Sequence, residues 1–276
     1  MEQIALVENQ TNTTYQRQVQ ERESDDTYAE IVQKYKKSKM VPWRKFVETP
    51  SFMKLVGQLT NEDVIDLACG EGFYTRKLRQ ITTGKVFGLD YCQNFIKMAI
   101  WQQGAANDID FRQVDCSLPI TNIPYQFDLV TPTFLLQNAQ SEEKFEQMVQ
   151  NIWNLCKPGG RVCGLNGSPF IPREQFDKDE KYGQVLSSNS DSYYKNNASE
   201  YSVRLFDKVA DLDISLKVMW FSGEYYEQIF KKVGFQNFRW VQMELFENTD
   251  DIEYWKDFLT NGLILMFEAF KPLIMN

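Results

Sequence analysis

A short apolar segment that runs into a glycine-rich turn constrains the fold of this chain more than any other feature. Residues 64–72 read Val-Ile-Asp-Leu-Ala-Cys-Gly-Glu-Gly, and helix-spaced apolar positions begin at once with Phe73. A buried strand that turns directly into a helix is typical of an open parallel sheet. Gly70 and Gly72 would let a ligand approach the backbone. An ordinary strand-to-helix turn is the alternative for the glycines taken singly.

The chain after residue 63 alternates between buried strand patterns and amphipathic helix patterns, which predicts parallel strands joined by helices. The clearest helix is capped by Ser141 and stopped by Lys157-Pro158-Gly159-Gly160, and another runs from Ser222 to Gly234. Strands are predicted at residues 63–68, 85–90, 109–114, 127–132, 160–166, 235–243 and 263–270. We therefore expect an α/β, Rossmann-like, seven-stranded and mostly parallel sheet with an antiparallel last strand.

Three segments do not show this alternation of strand and helix patterns. Residues 1–26 are polar without apolar periodicity and are predicted to be a disordered tail, with one domain over residues 27–276. Residues 27–60 predict an N-terminal helical cap made of two helices around a basic loop. Residues 168–221 also lack the alternation, and this segment is predicted to be an inserted substrate lid that contains two antiparallel strands.

The charge and the cysteines limit the class of partner. A net charge of -8 disfavours nucleic acid and membrane surfaces, since both carry negative charge. The five cysteines are scattered without a Cys-x-x-Cys pair, which favours reduced thiols, and the acidic start lacks the features of a secretory signal. We expect a cytoplasmic protein, a monomer or homodimer, whose partner is a small molecule.

Histidine is absent from the chain. This removes the commonest general base and the usual transition-metal ligand, so no metal is expected. A proton acceptor would have to be a carboxylate, Tyr, Lys, Cys or water, and no catalytic residue can be assigned.

Acidic residues follow successive predicted strands. Asp66 lies at the end of the first, Asp90 ends the second, twenty residues after Gly70, and Asp115 follows the third. Ligands bind at the carboxyl ends of strands in open parallel sheets. A carboxylate at the position of Asp90 can accept hydrogen bonds from both hydroxyls of a ribose. The combination predicts a site for a nucleoside-type ligand.

With these residues, the chain resembles the class I S-adenosylmethionine-dependent methyltransferases across residues 28–166. Further segments that carry the resemblance are Gly88-Leu89-Asp90, Phe127-Asp128-Leu129-Val130 and Lys157-Pro158-Gly159-Gly160. The segments 28–44, 71–78 and 254–259 are similar to the toxoflavin-type small-molecule N-methyltransferases.

The resemblance implies that S-adenosyl-L-methionine is the cofactor. Its ribose would bind Asp90, its adenine would contact Tyr91, Asp115 and Cys116, and backbone carbonyls at Pro132 and Thr133 would receive its ammonium. The full set of expected cofactor contacts is Tyr28, Tyr35, Arg44, Asp66, Ala68, Gly70, Gly72, Phe73, Asp90, Tyr91, Asp115, Cys116, Pro132 and Thr133.

Two of these assignments have alternatives. Arg44 could bind the methionine carboxylate in bidentate fashion, or it could belong to a solvated basic face with Lys36, Lys37 and Lys45. Tyr28 and Tyr35 could close over the cofactor, or their helical spacing could reflect core packing. The cysteines beside the turn would ordinarily be small buried hydrophobic residues.

The acceptor is predicted to be a small-molecule metabolite, methylated at a nitrogen. The segment Thr131-Pro132-Thr133-Phe134 departs from the Asn/Asp-Pro-Pro-Tyr/Phe of enzymes that methylate amide-like nitrogens in nucleic acids or proteins. A nitrogen acceptor needs alignment more than a base. O-methylation of a hydroxyl or carboxylate is the alternative, and an NAD-dependent dehydrogenase or a non-catalytic nucleotide-binding protein are alternatives of another class. Expected substrate contacts are Asn166, Tyr193, Tyr194 and Trp220.

Overall fold

The computed structural model describes residues 34–171, 176, 178–188, 195–246 and 252–273. The predicted tail at residues 1–26 lies outside the described residues, as do Tyr28, Tyr193 and Tyr194.

Ten strands form two sheets in these described ranges. They are β1 Val64–Leu67, β2 Val86–Asp90, β3 Asp110–Gln113, β4 Phe127–Pro132, β5 Cys156–Gly167, β6 Gln184–Ser187, β7 Ser199–Asp207, β8 Leu212–Trp220, β9 Gln236–Val241 and β10 Ile264–Phe270.

The larger sheet has seven strands in the order β3-β2-β1-β4-β5-β10-β9. β1 pairs in parallel with β2 and with β4, whereas β10 is antiparallel to both β5 and β9. This confirms the predicted Rossmann-like sheet with an antiparallel last strand. The strand order reverses between β1 and β4, and the crevice at such a switch point is where open α/β sheets bind ligands.

Besides the helical residues 34–37, six α-helices surround the sheets in the described part of the chain. They are α1 Thr49–Val56, α2 Phe73–Arg79, α3 Gln93–Gln103, α4 Glu142–Leu155, α5 Gly223–Val233 and α6 Ile252–Asn261. Short 3₁₀-helices occupy Ser38–Met40, Gly104–Ala106, Leu136–Asn138 and Lys178–Tyr182.

The two predicted N-caps are confirmed. The side chain of Ser141 accepts the backbone N–H of Lys144, and that of Ser222 accepts the N–H of Tyr225. Gly234 ends α5 with a φ of 113°, in the left-handed region. The predicted stop of α4 is displaced, because the helix already ends at Leu155 and Lys157-Pro158-Gly159-Gly160 belongs to β5.

The prediction of a basic loop before α1 is wrong, because residues 42–48 are helical. Arg44–Glu48 forms a π-helix that continues directly into α1. Pro42 does not interrupt it, since it stands in the first turn, where the N–H groups of Arg44 and Lys45 both donate to the Val41 carbonyl. A proline at that position loses no helical hydrogen bond.

The smaller sheet is antiparallel, in the order β6-β7-β8. β7 and β8 correspond to the two strands predicted between residues 168 and 221, and β6 is an additional strand. The apolar side chains of this sheet form one core with α6 and with the helical segments of residues 34–56, which are called the N-terminal helices. Members of that core include Trp43, Val47, Phe52, Leu186, Tyr201, Leu205, Ile214, Val218, Trp220, Trp255 and Phe258.

Candidate functional site

The turn after β1 has an unusual backbone. Ala68, Gly70 and Gly72 all lie in the left-handed region, with φ values of 62°, 56° and 82°. A Cβ added at Gly70 would meet only the Tyr35 ring, with Cε1 at 4.0 Å. The turn therefore presents its backbone at Gly70 to a space that Tyr35 covers.

Gly72 is required for a different reason. A Cβ at this position would lie 2.8 Å from Cζ of Phe111 and 2.9 Å from Nη1 of Arg76. The missing side chain of Gly72 thus makes room for β3 and α2 to pack against the turn.

Asp90 fixes this turn from the end of β2. Its Oδ2 accepts the Gly70 N–H at 2.8 Å, and its Oδ1 accepts the Cys92 N–H at 2.8 Å. Burial raises the pKa of Asp90, although the two N–H donors and the charge of Lys39 oppose the rise. Each carboxylate oxygen can accept more than one donor, so both can also receive ribose hydroxyls.

Asp66 is fully buried and holds three elements together. Its Oδ2 accepts the Thr75 hydroxyl at 2.6 Å, and its Oδ1 accepts the hydroxyls of Thr131 and Thr133 at 3.2 Å. Burial raises its pKa to about 6, although the hydrogen bonds from these hydroxyls act to lower the pKa. Asp66 therefore supports the turn from beneath, through α2 and β4.

The end of β3 is arranged around Asp115 and Cys116. Asp115 accepts the Ser117 N–H at 2.8 Å, and the Cys116 carbonyl accepts the Asn151 side-chain amide at 2.9 Å. Burial raises the pKa of the Cys116 thiol, which disfavours the thiolate form. Tyr91 directly follows β2. Its ring is 42% accessible, which is suited to stacking on a planar ligand.

The N-terminal helices bring two side chains over the turn. The Tyr35 ring packs edge-to-face on Phe95 at 5.5 Å, and Lys39 Nζ lies 4.3 Å from the Tyr35 ring centroid and 5.6 Å from that of Phe73. The charge of Lys39 acts on both Asp66 and Asp90. The sequence showed Lys39 only as a member of a basic stretch.

Arg44 is buried, 3% accessible, and so does not belong to a solvated basic face, whereas Lys36 and Lys45 are exposed. Its guanidinium carbon lies 4.7 Å from the Trp43 ring and 5.3 Å from the Phe134 ring. Phe134 belongs to the turn after β4, where its φ is 57° and its N–H donates to the Leu165 carbonyl. Arg44 therefore lies at the switch point.

Pro132 and Thr133 lie beside the same turn. Pro132 is in register with Leu67, the last residue of β1, and Thr133 bridges to Leu165 of β5. Arg44 also donates to Glu48, which accepts the Tyr74 hydroxyl, and the sequence analysis predicts neither these contacts nor the one with Phe134. The four-residue spacing of Arg44 and Glu48 is a sequence signal for the first of them.

The two predicted substrate contacts that the structure describes are both buried. Asn166 Oδ1 accepts the Gln137 N–H at 3.5 Å, and Trp220 donates its indole N–H to the Pro169 carbonyl at 3.2 Å. Both side chains thus have packing roles, and contact with a substrate stays a prediction for them.

Neither a metal-binding group nor a membrane span is found in the described ranges. No group of three or more Cys, Asp or Glu side chains there could hold a metal ion. No helix in the same ranges is long and apolar enough to cross a bilayer.

Comparison with known proteins finds similarity to methyltransferases. Residues 64–160 match the family model described as a methyltransferase domain. A demethylmenaquinone methyltransferase of Lactococcus lactis is 32% identical over 128 residues, which are 44% of this chain and 48% of that protein. An mRNA cap guanine-N(7) methyltransferase of Candida glabrata is 27% identical over 208 residues, 66% of this chain and 49% of that protein.

A solved structure shares the fold. The complex described as DhpI-SAM-HEP aligns with a TM-score of 0.56 and 18% identity, over 90% of this chain and 96% of that one. Residues 64–160 are thus similar to methyltransferase domains, and the chain shares its fold with the solved complex. The chain spans about half the length of the curated relatives it matches.

Proposed function

We propose that this chain transfers a methyl group from S-adenosylmethionine to a small molecule, at a nitrogen. The observation that carries the proposal is a pair of opposite charges along one crevice. Asp90 ends β2, and Arg44 lies against Phe134 after β4, with β1 between them. Neighbouring strands are about 4.8 Å apart, so β2 and β4 are separated by roughly 10 Å. The two charged groups lie on opposite sides of β1, as the ribose and the methionine carboxylate of one cofactor molecule would require.

The side chains fit the cofactor part by part. Asp90 has acceptor capacity for the ribose hydroxyls, and Tyr91 with Asp115 would contact the adenine. The buried Nε of Arg44 has no hydrogen-bond partner in the described part of the chain, which suits a carboxylate. When bound, the cofactor supplies an activated methyl group, so the protein has to orient the acceptor and exclude water.

A nitrogen acceptor is favoured because neither the cysteines beside the turn nor Asp66 is suited to act as a base. The chain has no histidine, burial raises the pKa of the Cys69 and Cys116 thiols, and Asp66 is enclosed by threonine hydroxyls. A nitrogen with a free lone pair needs no base, whereas an alcohol or phenol does. The Candida glabrata relative is named for a ring nitrogen, which supports this choice.

The acceptor is proposed to be a small planar metabolite and not RNA. The net charge of -8 opposes a phosphate backbone, and the Lactococcus lactis relative is named for a small quinone-type molecule. Membership of the toxoflavin-type subgroup, a cytoplasmic location and a monomeric or homodimeric state are further proposals that rest on the sequence. O-methylation of a hydroxyl or carboxylate is the alternative reaction.

A thermal-shift experiment separates this function from its rivals. S-adenosylhomocysteine should raise the melting temperature, and NADH should leave it unchanged. Stabilisation by NADH alone would favour a dehydrogenase and contradict the proposal. Incubation of the protein with isotopically labelled S-adenosylmethionine and a metabolite extract should then yield a labelled product by mass spectrometry. Cofactor binding without any labelled product would favour a non-catalytic binding protein.

A further inference from the structure

Arg44 is a buried cation that is held along only one edge of its guanidinium. Nη1 donates to Glu48 Oε1 at 2.9 Å, while Nε has no hydrogen-bond partner in the described part of the chain. A buried donor that stays unpaired destabilises the folded protein, because it has lost its hydrogen bonds to water. The unused donor of Arg44 therefore indicates that a ligand completes this site.

Glu48 is the anion that holds the other edge. It is fully buried, and its Oε1 accepts both Arg44 Nη1 and the Tyr74 hydroxyl, the latter at 2.5 Å. Burial and the charge of Glu48 keep the pKa of Tyr74 well above its usual value, so Tyr74 remains a donor. Tyr74 lies on α2, the helix that begins at the glycine turn. The three residues thus connect the N-terminal helices to the turn.

Aromatic rings limit the rotation of the same guanidinium. Trp43 and Phe134 lie 4.7 Å and 5.3 Å from its central carbon. A guanidinium has two edges that can each bind a carboxylate in bidentate fashion. With Nη1 engaged by Glu48, the edge that includes Nε is the one left for a second carboxylate.

We propose that Glu48 and Tyr74 are positioning residues that orient Arg44 toward the methionine carboxylate of the cofactor. This inference rests on the proposed function. Glu48 directs the guanidinium, and the Tyr74 hydroxyl fixes Glu48. The rival explanation is that Glu48 merely neutralises a buried charge, in which case its loss would affect stability but not the recognition of the amino-acid part of the ligand.

The test compares two ligands that differ only in that part. S-adenosylhomocysteine carries the amino acid, whereas 5′-methylthioadenosine keeps the nucleoside and lacks the carboxylate. The variants are Tyr74→Phe, Glu48→Gln and Arg44→Gln, with Glu244→Gln as the control. Glu244 forms an exposed ion pair with Lys54 of α1, away from Arg44. Dissociation constants are measured by calorimetry.

Tyr74→Phe should weaken S-adenosylhomocysteine about 2- to 10-fold, as expected for one hydrogen bond, and Glu48→Gln should weaken it further. The affinity for 5′-methylthioadenosine should not change in either variant. The control should bind both ligands as the wild type does. If Glu48→Gln does not fold, Tyr74→Phe still carries the test, since it removes one hydroxyl group.

Two failures can be told apart. If the wild type binds neither ligand, the proposed function falls and this inference with it. If Arg44→Gln weakens S-adenosylhomocysteine alone, but Tyr74→Phe and Glu48→Gln weaken both ligands equally or neither, the positioning role is overturned and the proposed function stands.

Discussion

The carboxylate of Asp90 accepts the backbone N–H of Gly70 at 2.8 Å, so the residue that ends β2 also shapes the turn that ends β1. Asp90→Ala should therefore lose a ligand contact and a support of the turn together. Charge-assisted hydrogen bonds contribute about 1.5–3 kcal/mol each, which predicts a roughly 10- to 100-fold loss of S-adenosylhomocysteine affinity by calorimetry.

The matched control for that change is Asp110→Asn, which breaks the ion pair of Asp110 with Arg112 on β3. This variant should keep the affinity of the wild type. An Asp90→Ala protein that still binds as tightly as the wild type would sink the assignment of the ribose site.

Asp66 should make the stability depend on pH in an unusual direction. Burial raises its pKa from 3.8 to about 6, so the folded protein keeps the proton where the unfolded chain has lost it. The contribution of this protonated carboxyl group to the free energy of unfolding is fully present below about pH 4. It is lost as the pH rises through about 6. At 1.36 kcal/mol per pKa unit, the loss amounts to about 3 kcal/mol.

Asp66→Asn isolates this effect, because the amide does not titrate. Urea denaturation between about pH 4 and about pH 7 should give free energies of unfolding whose difference, wild type minus variant, falls over that range. Parallel curves for the two proteins would contradict the raised pKa of Asp66.

Gly72→Ala should destabilise the protein through both strain and overlap. The left-handed φ of 82° costs a residue with a Cβ about 1–2 kcal/mol, and the contact with Phe111 at 2.8 Å adds about 1–3 kcal/mol. Urea denaturation measures the loss. A loss of no more than about 2 kcal/mol would show that Phe111 adjusts freely and that only the backbone strain remains.

Lys271 should stabilise the end of α4. Its ammonium donates to the carbonyls of Trp153 and Cys156 at 2.8 Å and 2.9 Å and lies 4.3 Å from the Trp153 ring centroid. Lys271→Met removes both of these hydrogen bonds, although the Trp153 carbonyl keeps the N–H of Cys156, so the free energy of unfolding should fall by about 1–3 kcal/mol. The exposed Lys217→Met should change it by less than about 0.5 kcal/mol. A similar small effect at Lys271 would mean that water replaces the ammonium.

The main sheet could be predicted because its signals are local. Buried strands, the caps Ser141 and Ser222, and Gly234 are each readable within a few residues, and acidic residues at strand ends pointed to Asp66 and Asp90. β6 was missed because its order depends on pairing with β7. The helical state of residues 44–48 is not predicted, because a proline such as Pro42 usually interrupts a helix, although a first turn tolerates it.

The charged cluster of the site was only partly predictable. The sequence predicts Arg44 as a ligand of the methionine carboxylate, and its four-residue spacing to Glu48 is compatible with a contact on one helix face. Tyr74 lies 26 residues from Glu48, so their hydrogen bond depends on how the N-terminal helices dock on α2. Lys39 could not be separated from its basic neighbours, since only the folded protein places one of them between Tyr35 and Phe73.

The smaller sheet shares its core with the N-terminal helices and α6, with Trp43 packed against Phe258 at 5.8 Å. A sheet joined in this way is not a module that evolution can exchange as a unit, because a foreign insert would strip the partner helices of their packing. New acceptor preferences should therefore arise by single substitutions on a retained scaffold. In hydrogen exchange, the amides of β7, β8 and α1 should open together and not strand by strand.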